Sequence, residues 1–250
     1  MDWEIIHINE TDSTNRWLSA HGDGNIGKNV GEQSSRKVHD SLVVVADYQT
    51  AGRGCGTNSW ESERGQNLTF SMLLHPTEIP AREQFHITEI ASVAMCHTLR
   101  QYGCEEVSIK WPNDIYVGEK KICGMLIENR LQGSIIKDSI IGIGLNVNQT
   151  TFLSDAPNPV SIKQLTGKET ALEELLKAFL EAFDDARQSK TTCFAYKKML
   201  FRKGKDYLYK DKTTCFAATL TDVLPDGRLL LTDKDGRERL YAFKEVQFII

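Results

Sequence analysis

Asp47-Tyr48-Gln49-Thr50-Ala51-Gly52-Arg53-Gly54-Cys55-Gly56-Thr57-Asn58-Ser59-Trp60 is the stretch on which the reading of this 250-residue chain turns. It follows the apolar run Leu42-Val43-Val44-Val45-Ala46, which predicts a strand. Three glycines then surround one arginine between Gly52 and Gly56. Glycine has no Cβ, so its backbone N–H can come close to a ligand. The planar guanidinium of arginine suits phosphate or carboxylate, and Trp60 offers a flat surface for a ring. A strand feeding such a loop points to a phosphorylated ligand. The segment is not a P-loop, because no Gly-Lys-Ser/Thr follows. It also lacks the third glycine of the dinucleotide fingerprint. Alone, it reads equally as a mobile glycine-rich surface loop.

Composition narrows the class. The chain is long enough for one substantial core with a small appendage. At 40% hydrophobic and 26% charged residues it has ordinary globular composition. A net charge of −4 argues against a dedicated nucleic-acid binder. No Cys-x-x-Cys pair and no Cys/His spacing of a zinc site occurs among Cys55, Cys96, Cys104, Cys123, Cys193 and Cys215. The start, Met1-Asp2-Trp3-Glu4, is not a signal peptide, and no apolar run is long enough to predict a membrane span. Reduced thiols in a cytoplasmic protein are expected.

Outward from the loop, Ile5 to Ile8 predicts a short strand, and Thr11-Asp12-Ser13-Thr14-Asn15 supplies N-cap candidates for a helix through Ala20. Residues 21–37, rich in Gly, Asn, Ser and Lys, predict an exposed loop. Leu68 to Leu74 predicts a strand, and the apolar spacing from Ala81 to Tyr102 a helix. Val107 to Lys110 is a short strand; Asp114 to Val117 and Lys121 to Glu128 form a hairpin turning at Gly118-Glu119. A strand pair is expected over Ser134 to Val147, a break over 155–160, and an amphipathic helix from about Leu172 to Arg187. From about Gly204, short strands and the turns Pro225-Asp226-Gly227 and Asp235-Gly236 predict a small β-barrel. Lys190-Thr191-Thr192-Cys193-Phe194-Ala195 recurs as Lys212-Thr213-Thr214-Cys215-Phe216-Ala217, but the flanks differ and no repeat architecture follows.

Four further segments join the glycine loop. Asp12-Ser13-Thr14-Asn15 clusters small polar groups at a helix start, or simply caps it. Lys110-Trp111-Pro112-Asn113-Asp114 sets two charges around a Pro turn. Lys120-Lys121-Ile122-Cys123-Gly124 places cations at the start of an apolar strand, or on a solvated hairpin. Gly142-Ile143-Gly144-Leu145-Asn146-Val147-Asn148 ends a strand with two glycines and two asparagines; close strand packing would explain the glycines equally. Taken together and in this order, they resemble the biotin protein ligases, or biotin–[acetyl-CoA-carboxylase] ligases. The matching elements are Asp-Ser-Thr-Asn at 12–15, Gln-Thr-Ala-Gly-Arg-Gly at 49–54, Trp60, Lys-Trp-Pro-Asn-Asp at 110–114, Lys-Ile-Cys-Gly at 121–124 and Gly-Ile-Gly-Leu-Asn-Val-Asn at 142–148.

The resemblance implies an α+β fold: a mixed β-sheet catalytic domain flanked by helices, class II synthetase-like, over 1–202, and an SH3-like β-barrel over 203–250. It implies biotin and ATP as substrates, Mg²⁺, a biotinyl-5′-AMP intermediate, and a lysine of a biotin carboxyl carrier domain as acceptor. Ser13, Thr14, Asn15 and Gln49 would hydrogen-bond biotin's ureido end. Arg53, with Gly54 and Cys55, would hold phosphate or the activated carboxylate, and Lys121 would meet both as the main charge stabiliser. Gly124, Gly142 and Gly144 would admit biotin's rings. Trp60 and Asn146 would take the adenosine end, Lys110 and Asn113 the nucleotide, and Asp114 the metal. Two departures bear on function. Cys55-Gly56-Thr57 stands where many relatives carry arginine or other polar residues, so a looser loop and leakier adenylate retention are expected. The catalytic pattern begins within the first dozen residues, leaving no room for the helix-turn-helix of some relatives, so no sequence-specific DNA binding is expected. A lipoate or octanoate ligase-like enzyme and a non-catalytic biotin sensor are the rival readings, and a homodimer through sheet edges is left open.

Overall fold

The structure, a computed structural model, describes residues 2–22, 41–153 and 158–250. The polar loop expected over 21–37 falls outside the described residues from 23 onward, as does the proline break up to 157. Seven strands form the main sheet: β1 (Glu4–Ile8), β2 (Ser41–Ala46), β3 (Leu68–Leu74), β4 (Val107–Lys110), β5 (Asp114–Val117), β6 (Lys120–Gln132) and β7 (Ile135–Leu145). Their order is β1-β2-β3-β7-β6-β5-β4. Only β1 and β2 run parallel; every other neighbour is antiparallel. The helices are α1 (Thr14–His21), α2 (Phe85–Gln101), α3 (Ile162–Thr166), α4 (Leu172–Gln188) and α5 (Thr192–Lys198).

Side-chain alternation gives the two faces of this sheet different tasks. Phe70 and Met72 of β3, with Ile141 and Ile143 of β7, join the main core under α2 and α4. In α4, Leu175, Leu176, Phe179, Leu180, Phe183 and Ala186 recur at helical spacing and are all buried. Phe179 meets Phe70 edge-on at 5.5 Å, and truncating such a core aromatic costs roughly 3–5 kcal/mol. On the opposite face, Leu73 and Ile140 pack with Leu18 of α1 in a smaller cluster. Further along that face come Ser71, Gly142, Gly144, Gly124 and Thr69, with Gly142 opposite Ser71 and Gly144 opposite both Thr69 and Gly124. Small residues at this end let other groups approach the sheet closely.

The mixed α+β fold expected from the sequence is observed, with two differences in detail. The expected strand pair over Ser134 to Val147 is the single strand β7, whose glycines mark close approach by other side chains. The helix expected from Ala81 begins at Phe85, after a 3₁₀ turn over Ala81–Glu83. α3 went unnoticed although Ser161 and Gln164 form a capping box. The twin hexapeptide is a helix in one copy and a turn leading into a strand in the other. Thr192 begins α5, whereas Cys215 begins β9.

A second, antiparallel sheet consists of β8 (Asp206–Asp211), β9 (Cys215–Val223), β10 (Leu229–Asp233), β11 (Glu238–Tyr241) and β12 (Val246–Phe248). Its order is β11-β10-β9-β8-β12, so the last strand lies beside the first, the connectivity of an SH3-like barrel. Trp111 donates Nε1–H to the Gly227 carbonyl at 2.9 Å, joining the two sheets at the site.

Candidate active site

The glycine loop is tied at both ends. Thr11 N donates to Tyr48 O (3.2 Å), Thr50 N to Thr11 O (2.9 Å) and Ala51 N to Asp12 O (3.0 Å), so its entry runs alongside the lead into α1. Gly54 N donates to Asn58 O (2.7 Å) and Trp60 N to Gly52 O (2.9 Å), closing a bonded hairpin, not an open coil. This folds the Trp60 indole back onto the sheet. A β-carbon on Gly144 would overlap the indole, and one on Gly124 would sit 3.0 Å from it. Asn15 approaches Gly142 in the same way. The three glycines, expected to admit a ligand's rings, therefore admit Trp60 and Asn15. The Trp60 Nε1–H is buried beside them with no acceptor among the described residues, a donor that a bound molecule could satisfy.

The start of α1 builds a polar end. Ser13 holds the N-cap position but its side chain makes no cap bond. Instead the Thr14 N–H and hydroxyl both donate to Gln49 Oε1, at 2.9 and 3.2 Å. Ser71 Oγ lies 2.7 Å from Thr14 Oγ1 and 2.5 Å from Asn15 Oδ1. Asn15 Nδ2 donates to Glu128 Oε2 at 2.8 Å. The same carboxylate takes Arg53 as a fork, NH2 to Oε1 at 3.1 Å and NH1 to Oε2 at 3.4 Å. Glu128 thus couples the polar lip to the arginine of the loop.

The cationic end comes from the β5–β6 hairpin. β6 meets β5 with Cys123 opposite Ile115 but Lys121 opposite Tyr116, so Ile122 is an extra residue in a β-bulge. In a regular strand, Lys121 would face away from Gly124. The bulge turns it to the Gly124 side and buries Ile122 and Cys123 together. Beyond the bulge, Lys121 leaves β7 and bonds the chain at 158–160: Lys121 N to Asn158 O and Val160 N to Lys121 O, both 2.9 Å. Lys121 Nζ pairs with Asp114 Oδ1 at 2.7 Å and lies 5.9 Å from the Trp60 ring. Lys110 donates to Tyr116 Oη at 3.2 Å. Burial pulls the Lys110 ammonium below the ordinary lysine value, and Asp114 only partly offsets this. Burial, aided by the Asp114 charge, pushes the Tyr116 phenol up. Asn113 donates Nδ2–H to Met125 O (2.9 Å) and Asn146 to Val160 O (3.1 Å), so both amides brace the walls.

Every residue given a binding or catalytic role from the sequence lines one cavity of about 1140 Å³, Gly54, Cys55 and Asn146 included. Several lining groups were missed. Tyr116 follows the Lys-Trp-Pro-Asn-Asp motif without belonging to it, and Phe243, Lys244, Gln247 and Phe248 come from the second sheet's final turn and strand. Glu128 and Ser71 stand behind the lining; an acid directly after the apolar run Ile122–Ile127, within a strand, was the available signal for Glu128. Among the described residues no group of three or more His, Cys, Asp or Glu is placed to hold a metal. Asp114 is a single carboxylate, which fits Mg²⁺ only when substrate phosphates and water complete the shell.

The chain belongs to the Biotin/lipoate A/B protein ligase family, which it matches over residues 12–146. It is 29% identical over 226 residues to the Bifunctional ligase/repressor BirA of Bacillus subtilis, covering 86% of this chain and 69% of that one. Its fold is that of the biotin protein ligase from Aquifex aeolicus in complex with biotin and ATP: TM-score 0.76, 24% identity, 98% of this chain and 99% of that one. The biotin protein ligase from Leishmania major in complex with biotinyl-5-AMP is also similar, with TM-score 0.65, 22% identity, and 96% and 98% coverage. Among the described residues no helix is long and apolar enough to cross a membrane, and all six cysteines are free.

Proposed function

We propose that this chain is an ATP-dependent biotin protein ligase that modifies a lysine of a biotin carboxyl carrier domain, as in acetyl-CoA carboxylase. The observation that carries this reading is one cavity with two chemically distinct ends. Thr14, Asn15 and Gln49 offer donors and acceptors at one end, with Arg53 joined to Asn15 through Glu128; Lys110 and Lys121 gather positive charge at the other. Biotin has the matching polarity, a neutral ureido head and a carboxylate tail.

In the first step a biotin carboxylate oxygen attacks the α-phosphorus of ATP and the bond to pyrophosphate breaks. Lys121, with Arg53 reaching in from the loop, would meet the charge that builds on the phosphoryl and carboxylate oxygens, and fixed donors of this kind act most strongly in a partly dry site. In the second step a lysine amine attacks the acyl carbon, an amide forms, and AMP leaves as a proton is lost from the amine. Positioning by the lip, Trp60 and the two bracing asparagines supplies the remainder. Asp114 with the substrate phosphates would hold Mg²⁺, which neutralises charge on the leaving pyrophosphate.

The same reading divides the chain into a catalytic unit, 1–202, and an SH3-like unit, 203–250, and places it in the cytoplasm. Biotin-dependent ATP–pyrophosphate exchange, followed by labelling of an isolated carrier domain, tests it. Exchange with lipoate or octanoate in place of biotin would transfer the site to the other branch of the family. Biotin binding without exchange would make the protein a sensor.

A further inference from the structure

Two backbone oddities face each other across the mouth of the cavity. Gly56, at φ +72°, sits in the part of the glycine loop, from Gly54 to Trp60, that carries no cation of its own. Lys244, at φ +68°, is a non-glycine residue in the left-handed region, in the turn between β11 and β12. Long side chains seldom adopt that conformation, and where they do the local strain commonly marks a functional position. The Lys244 ammonium reaches the loop, donating to the Cys55 carbonyl at 3.3 Å. A β-carbon on Gly56 would collide with it. The ammonium therefore occupies the space beside Gly56, at the place where the loop's own sequence provides no cation.

The contact to Cys55 uses one of three ammonium donors, and no carboxylate among the described residues pairs with Lys244. Its nearest ring contact is the neighbouring Phe243, at 5.9 Å. Lys244 and Phe243 both line the cavity that holds Arg53 and Lys121. The ammonium is exposed to solvent at the edge of the cavity and keeps donors free to turn to an anion bound there. A charge-assisted bond to phosphate is the strong interaction such a donor can make.

We propose that Lys244 supplies from the C-terminal module the phosphate-binding cation that the glycine loop lacks, clamping the loop through Cys55 and slowing escape of the acyl-adenylate. The inference rests on the ligase reading above. It makes adenylate retention a property of both modules together.

The test uses the full chain. Lys244→Gly removes the ammonium and also the left-handed strain, so folding is not at risk. Expected are a higher Tm, weaker ATP binding, and biotinyl-AMP release about ten-fold faster, a change equal to about 1.4 kcal/mol. Lys244→Arg should keep release slow. Cys55→Arg in the Lys244→Gly background should restore it, which a purely structural role for Lys244 would not allow. Unchanged ATP affinity and unchanged release in Lys244→Gly would overturn the proposal. Absence of biotin-dependent exchange in the unaltered chain would instead overturn the ligase reading, and the ATP affinities would still decide the role of Lys244.

Discussion

Lys121 and Asp114 meet at 2.7 Å across the β5–β6 hairpin, with their side chains 25% and 27% exposed. The pair holds the ammonium in place beside the Trp60 ring. If Lys121 acts on the transition state, Lys121→Ala should lower carrier labelling roughly 10²–10³-fold. Biotin affinity by calorimetry should change by less than about ten-fold. Equal losses in both would place Lys121 in ground-state binding. Asp114→Asn should raise the Mg²⁺ concentration needed for half-maximal exchange.

Glu128 occupies both the arginine of the loop and the amide of the lip. Glu128→Gln frees Arg53 while loosening Asn15, so the binding of an anion and of biotin should respond in opposite directions. Pyrophosphate should bind more tightly and biotin more weakly, each by a few-fold, on the order of one charge-assisted hydrogen bond partly screened by water. Competition titrations with each ligand alone would measure this. Arg53→Ala should weaken both.

Gly144 touches the Trp60 indole so closely that any β-carbon must move it. Gly144→Ala should cost about 1–3 kcal/mol in urea unfolding, the usual range for overpacking. In a Trp60→Ala background the same change should cost much less, because the two sites are in contact and non-additive. Additive losses would mean that the indole does not rest there.

Lys110 is a lysine whose pKa burial lowers. In the alkaline range below the ordinary lysine value the unfolded chain then binds more protons than the folded one. Stability therefore gains a contribution that increases with pH through that window. Lys110→Met should remove this contribution, raising Tm at neutral pH while reducing ATP use. Melting curves from about pH 7 to about pH 10, compared between the two proteins, isolate it.

What the sequence disclosed was local. Lys-Trp-Pro-Asn-Asp, the glycine loop and the glycine-rich end of β7 each carry their chemistry within a few residues, so their order along the chain was enough to infer a shared site. Glu128 was invisible because its partner Arg53 is 75 residues away. Lys244 was missed because its meaning depends on a carbonyl 189 residues earlier. The hexapeptide beginning at Lys190 and again at Lys212 makes the same point for secondary structure. Thr192–Lys198 is helical while Cys215–Val223 pairs in the barrel, so surroundings overrode identical propensities. The strand pair expected over Ser134 to Val147 is one strand, Ile135–Leu145, whose Gly142 and Gly144 lie under Asn15 and Trp60, contacts that their own neighbours in the chain do not announce.

The bulge at Ile122 has a consequence for variation in this chain. The direction in which Lys121 emerges is set by main-chain bonds to Asn158 and Val160, residues whose side chains take no part in the proposed chemistry. Asn158 holds φ +51° to make its bond. A substitution that shifts this short segment can turn Lys121 toward the core while leaving every reactive side chain spelled out in the gene. Inactive alleles of this enzyme should therefore include some at 158–160, which a survey of reactive residues alone would pass as intact.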